Sequence, residues 1–237
     1  MISSKQRGIT RVIETGCMPG LLLPDHVSTC GGIADLRRLK PPLCIKGGIF
    51  MQKNSLTVYI EAGVIATLAF IISLFPIEGT GFDIALGSIP ITLFCLRRGW
   101  KAGIFTGILW GLLTIILGGA SIIHPIQVVL DYPVAFAFNG LAGIVAPALQ
   151  QATASGNQKK ATYYIFLSTF IGTLARYFWH FITGVYYWGR FAPEGWSVGF
   201  YSFVFNGGSV IVTTVIAGLA LLLLYRQARH LFVGELA

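Results

Sequence analysis

The chain has 237 residues, of which 54% are hydrophobic and 11% charged, with a formal net charge of +8. That charged share is about half of what an average soluble domain carries, and the composition points to a membrane protein. The basic residues stand as short doublets between apolar runs rather than as a patch, which argues against nucleic acid as a partner. Cys17, Cys30, Cys44 and Cys95 form no C-x-x-C pair and have no His at ligand spacing, so neither a zinc site nor a disulfide framework is supported.

Residues 1–50 differ in character from the rest. They hold seven of the seventeen Lys and Arg and three of the four Cys, and they show no apolar period. The run CMPGLLL at 17–23 is too short and too Pro-broken for a signal-peptide core or a span. Lys46-Gly47-Gly48 can be encoded by AAAGGAGG, a ribosome-binding sequence a few codons before Met51, so residues 1–50 are expected to be non-native leader, with the membrane domain running over 51–237. The alternative is a disordered basic N-terminal extension.

From Leu56 the chain falls into six apolar runs near membrane length, at about 56–75, 84–97, 100–118, 128–150, 161–183 and 203–225. The predicted fold class is therefore all-α, a polytopic membrane protein of six transmembrane helices. Lys53, the Arg97, Arg98 and Lys101 group, Lys159 with Lys160, and Arg226 with Arg229 all fall on one side of this topology, which sets both termini in the cytoplasm of a multi-pass cell-membrane protein. The opposite connections, PIEGTGFD, GGASIIHP and GVYYWGRFAPEGWSVG, are poorer in Lys and Arg and rich in Gly, Pro and aromatics.

The unusual residues gather at that opposite side. The segment from Arg176 to Gly208 carries three Trp, four Tyr, His180 and Asn206. Such rings and hydrogen-bonding groups suit a small, flat, cationic ligand, although Trp and Tyr also form interfacial belts. Trp110 lies in the outer half of the third run, Asp131 and Tyr132 begin the fourth, His180 ends the fifth, and Tyr201 and Asn206 begin the sixth. Arg176, His180, Gly184 and Trp188 recur at every fourth position and form one stripe if the helix persists that far. An ionisable group within a span costs about 2.5–3.5 kcal/mol at its centre and marks a functional candidate. The plainer role for Asp131 is a structural pair with Arg176 or His180.

Two patterns concern packing. Gly99, Gly103, Gly107 and Gly111 repeat every fourth residue, a smooth face expected to serve packing within the chain. Ala62 and Ala66, with Ala69 beyond, form a small-xxx-small pair in the first run.

Residues from about 51 to 232 resemble the ThiT (YuaJ-type) family, the thiamine-binding S components of energy-coupling factor (ECF) importers. The resemblance rests on DIALGSIPITLFCLRRG at 83–99, LDYPVAF at 130–136, RYFWHFITGV at 176–185 and YSFVFNGGS at 201–209. It implies a six-helix S-component fold that captures thiamine near the extracellular face and delivers it through a separate ATP-driven module. It also implies that Trp110, Asp131, Tyr132, His180, Gly184, Trp188, Tyr201 and Asn206 contact the substrate. Some members have Glu where this chain has Asp131, which shortens the reach by one methylene. For the family's aromatic of the first outer loop the candidate here is Phe82, with no firm alignment, and its further tyrosine after the third span has only Ser121 or His124 nearby.

The partners implied by the resemblance are thiamine, a transmembrane scaffold subunit docked on Ala62 and Ala66, and two ATPase subunits in a lipid bilayer. The chain contains no G-x-x-x-x-G-K-[ST] run, so ATP is assigned to partner subunits and no cofactor to this one. Two other classes compete. A self-sufficient, proton-coupled secondary transporter of a small cationic or aromatic solute would use Asp131 and His180 as a relay, but no paired helix breaks are evident. An intramembrane enzyme lacks an assembled nucleophile, base and orienter, so no enzymatic activity and no metal are expected. Arg190 is the one exposed cation expected near the ligand, which favours free thiamine over its phosphates.

Overall fold

A computed structural model describes residues 55–75 and 82–234, and the expected leader at 1–50 lies outside them. Among the described residues every regular element is a helix. Helix α1 spans Ser55–Ser73, α2 Ser88–Arg98 and α3 Trp100–Ile116. The longer α4 covers Pro125–Ala154, α5 Gln158–Tyr186 and α6 Val198–Gln227, and a 3-10 turn at Arg229–Phe232 follows. Helices α1, α4, α5 and α6 are long and apolar enough to cross a membrane, and α3 is a shorter apolar helix. The six helices match the six apolar runs in order.

The second run departs most from expectation. Its helix has 11 residues, which at 1.5 Å per residue is about 16 Å, roughly half a bilayer core. Pro90 sits in its first turn, where a missing N–H costs nothing, and the residues before Ser88 are not helical. Backbone at membrane depth is tolerated only when its polar groups find partners in the protein. Here Asp83 N donates to Ser209 Oγ at 3.0 Å, Ala85 N to Thr213 Oγ1 at 3.3 Å, and Tyr177 Oη to the Asp83 carbonyl at 2.7 Å. Hydroxyls of α5 and α6 thus hold this segment, and with it Asp83, against the bundle.

Helix α4 is continuous but not uniform. It has a wide π turn over Leu130–Val134, which contains Pro133, and a tight 3-10 stretch over Gly140–Val145. Proline removes one helical hydrogen bond and crowds the turn before it, and a π turn is one way a helix absorbs both. The result re-aims Asp131 and Tyr132.

Lipid offers no hydrophobic force between helices, so close approach and hydrogen bonds hold the bundle. The glycines of α3 meet α4 backbone. A Cβ on Gly103 would come within 3.0 Å of the Gly140 carbonyl, and one on Gly111 within 2.6 Å of the Tyr132 backbone. Gly99 joins α2 to α3 at φ 90°, a conformation glycine adopts without strain. Ser168 Oγ reaches the Ala142 carbonyl at 2.7 Å, and Thr173 and Thr214 share a hydroxyl pair at 2.8 Å. Gly107→Ala is expected to cost roughly 1–3 kcal/mol and lower the melting temperature in detergent, because the new methyl meets the Phe136 carbonyl. An unchanged melting temperature would mean that α3 and α4 do not approach so closely.

The assignment of Ala62 and Ala66 to a docking face is corrected by the structure. Both are 0% exposed. Ala66 lies in a core with Phe70, Ile91, Cys95 and Trp110, and Ala62 in one with Phe94 and Ala102. The small side chains let α1 approach α2 and α3 of its own chain, while Ile60, Val64, Leu68 and Ile71 form the outward face.

The two ends of the bundle differ. At one, Gln150 Nε2 donates to the Leu96 and Arg97 carbonyls at 3.1 and 3.2 Å, Arg97 reaches the His230 carbonyl, and Tyr225 donates to Thr153. There too Arg98 clasps Glu61 of α1 through two bonds of 2.7 Å. Arg97, Arg98, Lys101, Lys159, Lys160, Arg226 and Arg229 stand at the helix ends on this side, and the other end holds a cavity.

Candidate functional site

The cavity measures about 640 Å³, within the range of small-molecule sites. All eight residues expected from the sequence line it: Trp110 from α3, Asp131 and Tyr132 from α4, His180 and Gly184 from α5, Trp188 from the following turn, and Tyr201 and Asn206 from α6. The α5 stripe ends before its last member. The helix stops at Tyr186, and Trp188 caps a 3-10 turn over Gly189–Phe191, from which its ring still faces the cavity.

Asp131 organises one wall. It is 4% exposed. Oδ2 accepts from Gln127 Nε2 at 2.7 Å and more loosely from Trp188 Nε1 at 3.5 Å. Oδ1 accepts from Thr183 Oγ1 and lies 3.1 Å from His180 Nδ1. Groups from α4, from α5 and from the turn after it therefore converge on one carboxylate. Its pairing with His180 is present, while Arg176 turns to Asp83, with Nη2 3.7 Å from Oδ2. His180 Nε2 is buried and without a partner among the described residues, and in the neutral tautomer with Nδ1–H on the carboxylate it offers a ligand a lone pair.

Asn206 adds a second acceptor. Its amide nitrogen donates to Ser202 O at 2.9 Å and Ser202 Oγ at 3.1 Å, which leaves the carbonyl oxygen for a ligand. Ser202 Oγ donates in turn to the Phe181 carbonyl at 2.8 Å. Gly184 faces this hydroxyl, and a Cβ there would collide with it. Two acceptors and a carboxylate on neighbouring walls suit a ligand edge that offers N–H donors.

The aromatic faces fall into two groups. Near the opening, Trp188 packs on Phe191 at 5.7 Å and Tyr201 on Phe205 at 4.6 Å. Tyr132 accepts a 2.7 Å bond from Ser121 N and meets Phe136 edge-on. Deeper, Trp110 lies 4.0 Å from Phe136, and the guanidinium of Arg176 sits over both rings. A ligand cation stacked on Trp110 would need the place that the protein's own cation occupies. Phe82 lines the cavity opposite Gly208, His124 stacks on Tyr187, and Arg190 lies over Phe191 and is not among the lining residues.

Sequence reading missed Gln127, Phe136 and Thr183, and it gave Asp83 and Arg176 no ligand-facing role. Gln127 stands four residues before Asp131, a helical spacing that signals the contact. Nothing local signals the approach of Asp83 to Arg176, since they stand on different elements far apart in the chain. Among the described residues no group of three metal-ligating side chains occurs.

Comparison with known proteins agrees with this architecture. The family model described as thiamine transporter protein (Thia_YuaJ) matches residues 59–233. The thiamine transporter ThiT of Lacticaseibacillus paracasei is 38% identical over 190 residues, covering 78% of this chain and 94% of that protein. ThiT of Bacillus subtilis is 34% identical over 190 residues, covering 78% and 99%. The solved structure of ThiT from Listeria monocytogenes superposes with a TM-score of 0.73 at 35% identity, over 76% of this chain and 98% of that one.

Proposed function

The chain belongs to the thiamine transporter protein family (Thia_YuaJ), and from that premise we propose that it is the thiamine-capturing membrane subunit of an ECF importer. The observation that supports this most directly is the cavity itself, in which acceptors and aromatic faces occur together at the end of the bundle opposite Arg97, Arg98, Lys101, Lys159, Lys160, Arg226 and Arg229. In this reading the aminopyrimidine presents its amino group to His180 Nε2, the Asn206 carbonyl and the Asp131 wall. The thiazolium lies against Trp188, Tyr201 and Tyr132, attracted by their π faces. The cavity end faces outward and both termini face the cytoplasm, following the placement of Lys and Arg.

The chain acts as a binding subunit rather than an enzyme and holds no cofactor of its own. ATP is used by two partner ATPases acting through a membrane scaffold. The scaffold meets the outward face of α1, where Ile60, Val64, Leu68 and Ile71 are exposed, in place of the buried alanines. Concentrative thiamine uptake is expected only when that module is present. Uptake against a gradient by this chain alone would identify a secondary transporter instead.

The binding test is a tryptophan fluorescence titration of detergent-solubilised protein with thiamine, without ATP or a proton gradient. A saturable change with one thiamine per chain is expected, and its absence at micromolar thiamine would end the proposal. In the same assay Trp188→Ala should bind at least several-fold more weakly, since a cation–π face is worth about 0.5–2 kcal/mol. Equal affinity would reduce Trp188 to part of the interfacial belt.

A further inference from the structure

Arg176 has no assigned part in the binding described above, yet its side chain lines the same cavity and is only 6% exposed. Its guanidinium carbon lies 4.5 Å from the Phe136 ring, 5.0 Å from Tyr177 and 5.3 Å from Trp110, so the charge sits in an aromatic box. Asp83 meets it only at Nη2, at 3.7 Å, beyond hydrogen-bonding distance. Nε and Nη1 have no partner among the described residues, and neither does Nε1 of Trp110, the ring on which the guanidinium rests.

The corner therefore carries three buried donor nitrogens with no acceptor among the described residues. Buried donors are almost always satisfied, and leaving those of a charged group unmet is costly. Tyr177 Oη donates to the Asp83 carbonyl at 2.7 Å and to its carboxylate at 3.2 Å, and Asp83 N donates to Ser209, so the backbone of Asp83 is held beside the box. Along α5, Arg176 lies one turn deeper than His180, so the donors form a second recognition point beyond the amine-accepting wall.

We infer that Arg176, with Trp110 Nε1, forms an oxygen-recognising subsite that receives an acceptor carried by the ligand's side chain. The inference rests on the thiamine reading above. In thiamine that acceptor is the hydroxyl of the hydroxyethyl arm, and in a phosphate ester it is the phosphate. Both present oxygen to the guanidinium fork, which can hold an oxygen at two donors as a lysine cannot. The cation that decides between free thiamine and its esters is thus the buried Arg176 rather than the exposed Arg190.

The test titrates the full-length chain in detergent with thiamine, with thiamine monophosphate, and with the analogue in which ethyl replaces hydroxyethyl, for the parent, Arg176→Gln and Arg176→Lys. If the hydroxyl is the acceptor, the parent binds the ethyl analogue about tenfold more weakly than thiamine, on the scale of a hydrogen bond to a charged group. That ratio then falls to about one in Arg176→Gln and shrinks in Arg176→Lys. If phosphate is the acceptor, Arg176→Gln loses about tenfold or more for the monophosphate while thiamine changes little. A uniform change across all three ligands, or none, overturns the subsite and leaves Arg176 as packing. Should Arg176→Gln not fold, Arg176→Lys and the parent's ligand series decide, and a parent that binds all three alike overturns it. Failure of the parent to bind thiamine at all would instead sink the functional reading on which the subsite rests.

Discussion

Asp131→Asn is expected to weaken thiamine binding by about 1.5–3 kcal/mol, the scale of a charge-assisted hydrogen bond, or roughly tenfold to more than a hundredfold in affinity. The substitution keeps the size of the side chain and removes the charge that Gln127, Thr183, His180 and Trp188 converge on. Its amide nitrogen would face either Gln127 and Trp188 or Thr183 and His180, so one of these two pairs loses its acceptor. Analogues that keep the aminopyrimidine should suffer equally, because the loss lies on the wall that receives the amino group. Titration of parent and variant, with melting temperatures alongside, checks this. Preserved affinity with a collapsed melting temperature would make Asp131 a member of the scaffold instead of the recognition wall.

Substituting Ala62 and Ala66 together with Trp is expected to destroy the fold in detergent. Both positions are fully buried against α2 and α3, and overpacking costs roughly 1–3 kcal/mol or more at each. Trp110 lies in the Ala66 core and also lines the cavity, so the damage extends to the site. Loss of thiamine binding, loss of uptake and a lower yield of monodisperse protein should appear together. A variant that binds and melts like the parent would show that α1 turns these alanines away from its own bundle. Trp at Val64 and Leu68, by contrast, should leave binding near the parent level and abolish co-purification with an ATPase-scaffold module.

The contrast between these alanines and Asp131 shows where sequence reasoning holds in a membrane chain. Run length and hydropathy are local properties, and a span must satisfy its own backbone hydrogen bonds, so six helices are legible from the residues alone. Polar residues within those runs stand out for the same reason. Asp131, His180 and Asn206 are expensive in lipid and face a protein interior or a cavity, and the structure brings all three to one cavity. The glycine spacing of α3 carries a correct expectation of packing within the chain, because only a bare backbone admits the Phe136 and Tyr132 backbone at such range.

The rotation of α1 is decided only by tertiary structure. Its exposed Ile60, Val64 and Leu68 are as apolar as its buried side, since lipid and protein core make the same demand, and no amphipathic stripe marks which face turns inward. The short α2 and the satisfied loop before it depend on hydroxyls from α5 and α6, distant in sequence. Partner choice is open for the same reason: composition offers both His180 and Arg176 to Asp131, and the packing assigns His180 to it and Arg176 to Asp83. The box around Arg176 draws on α3, α4 and α5 at once. A local pattern reports what one helix requires of its surroundings, and which neighbours meet that requirement is settled when the helices pack.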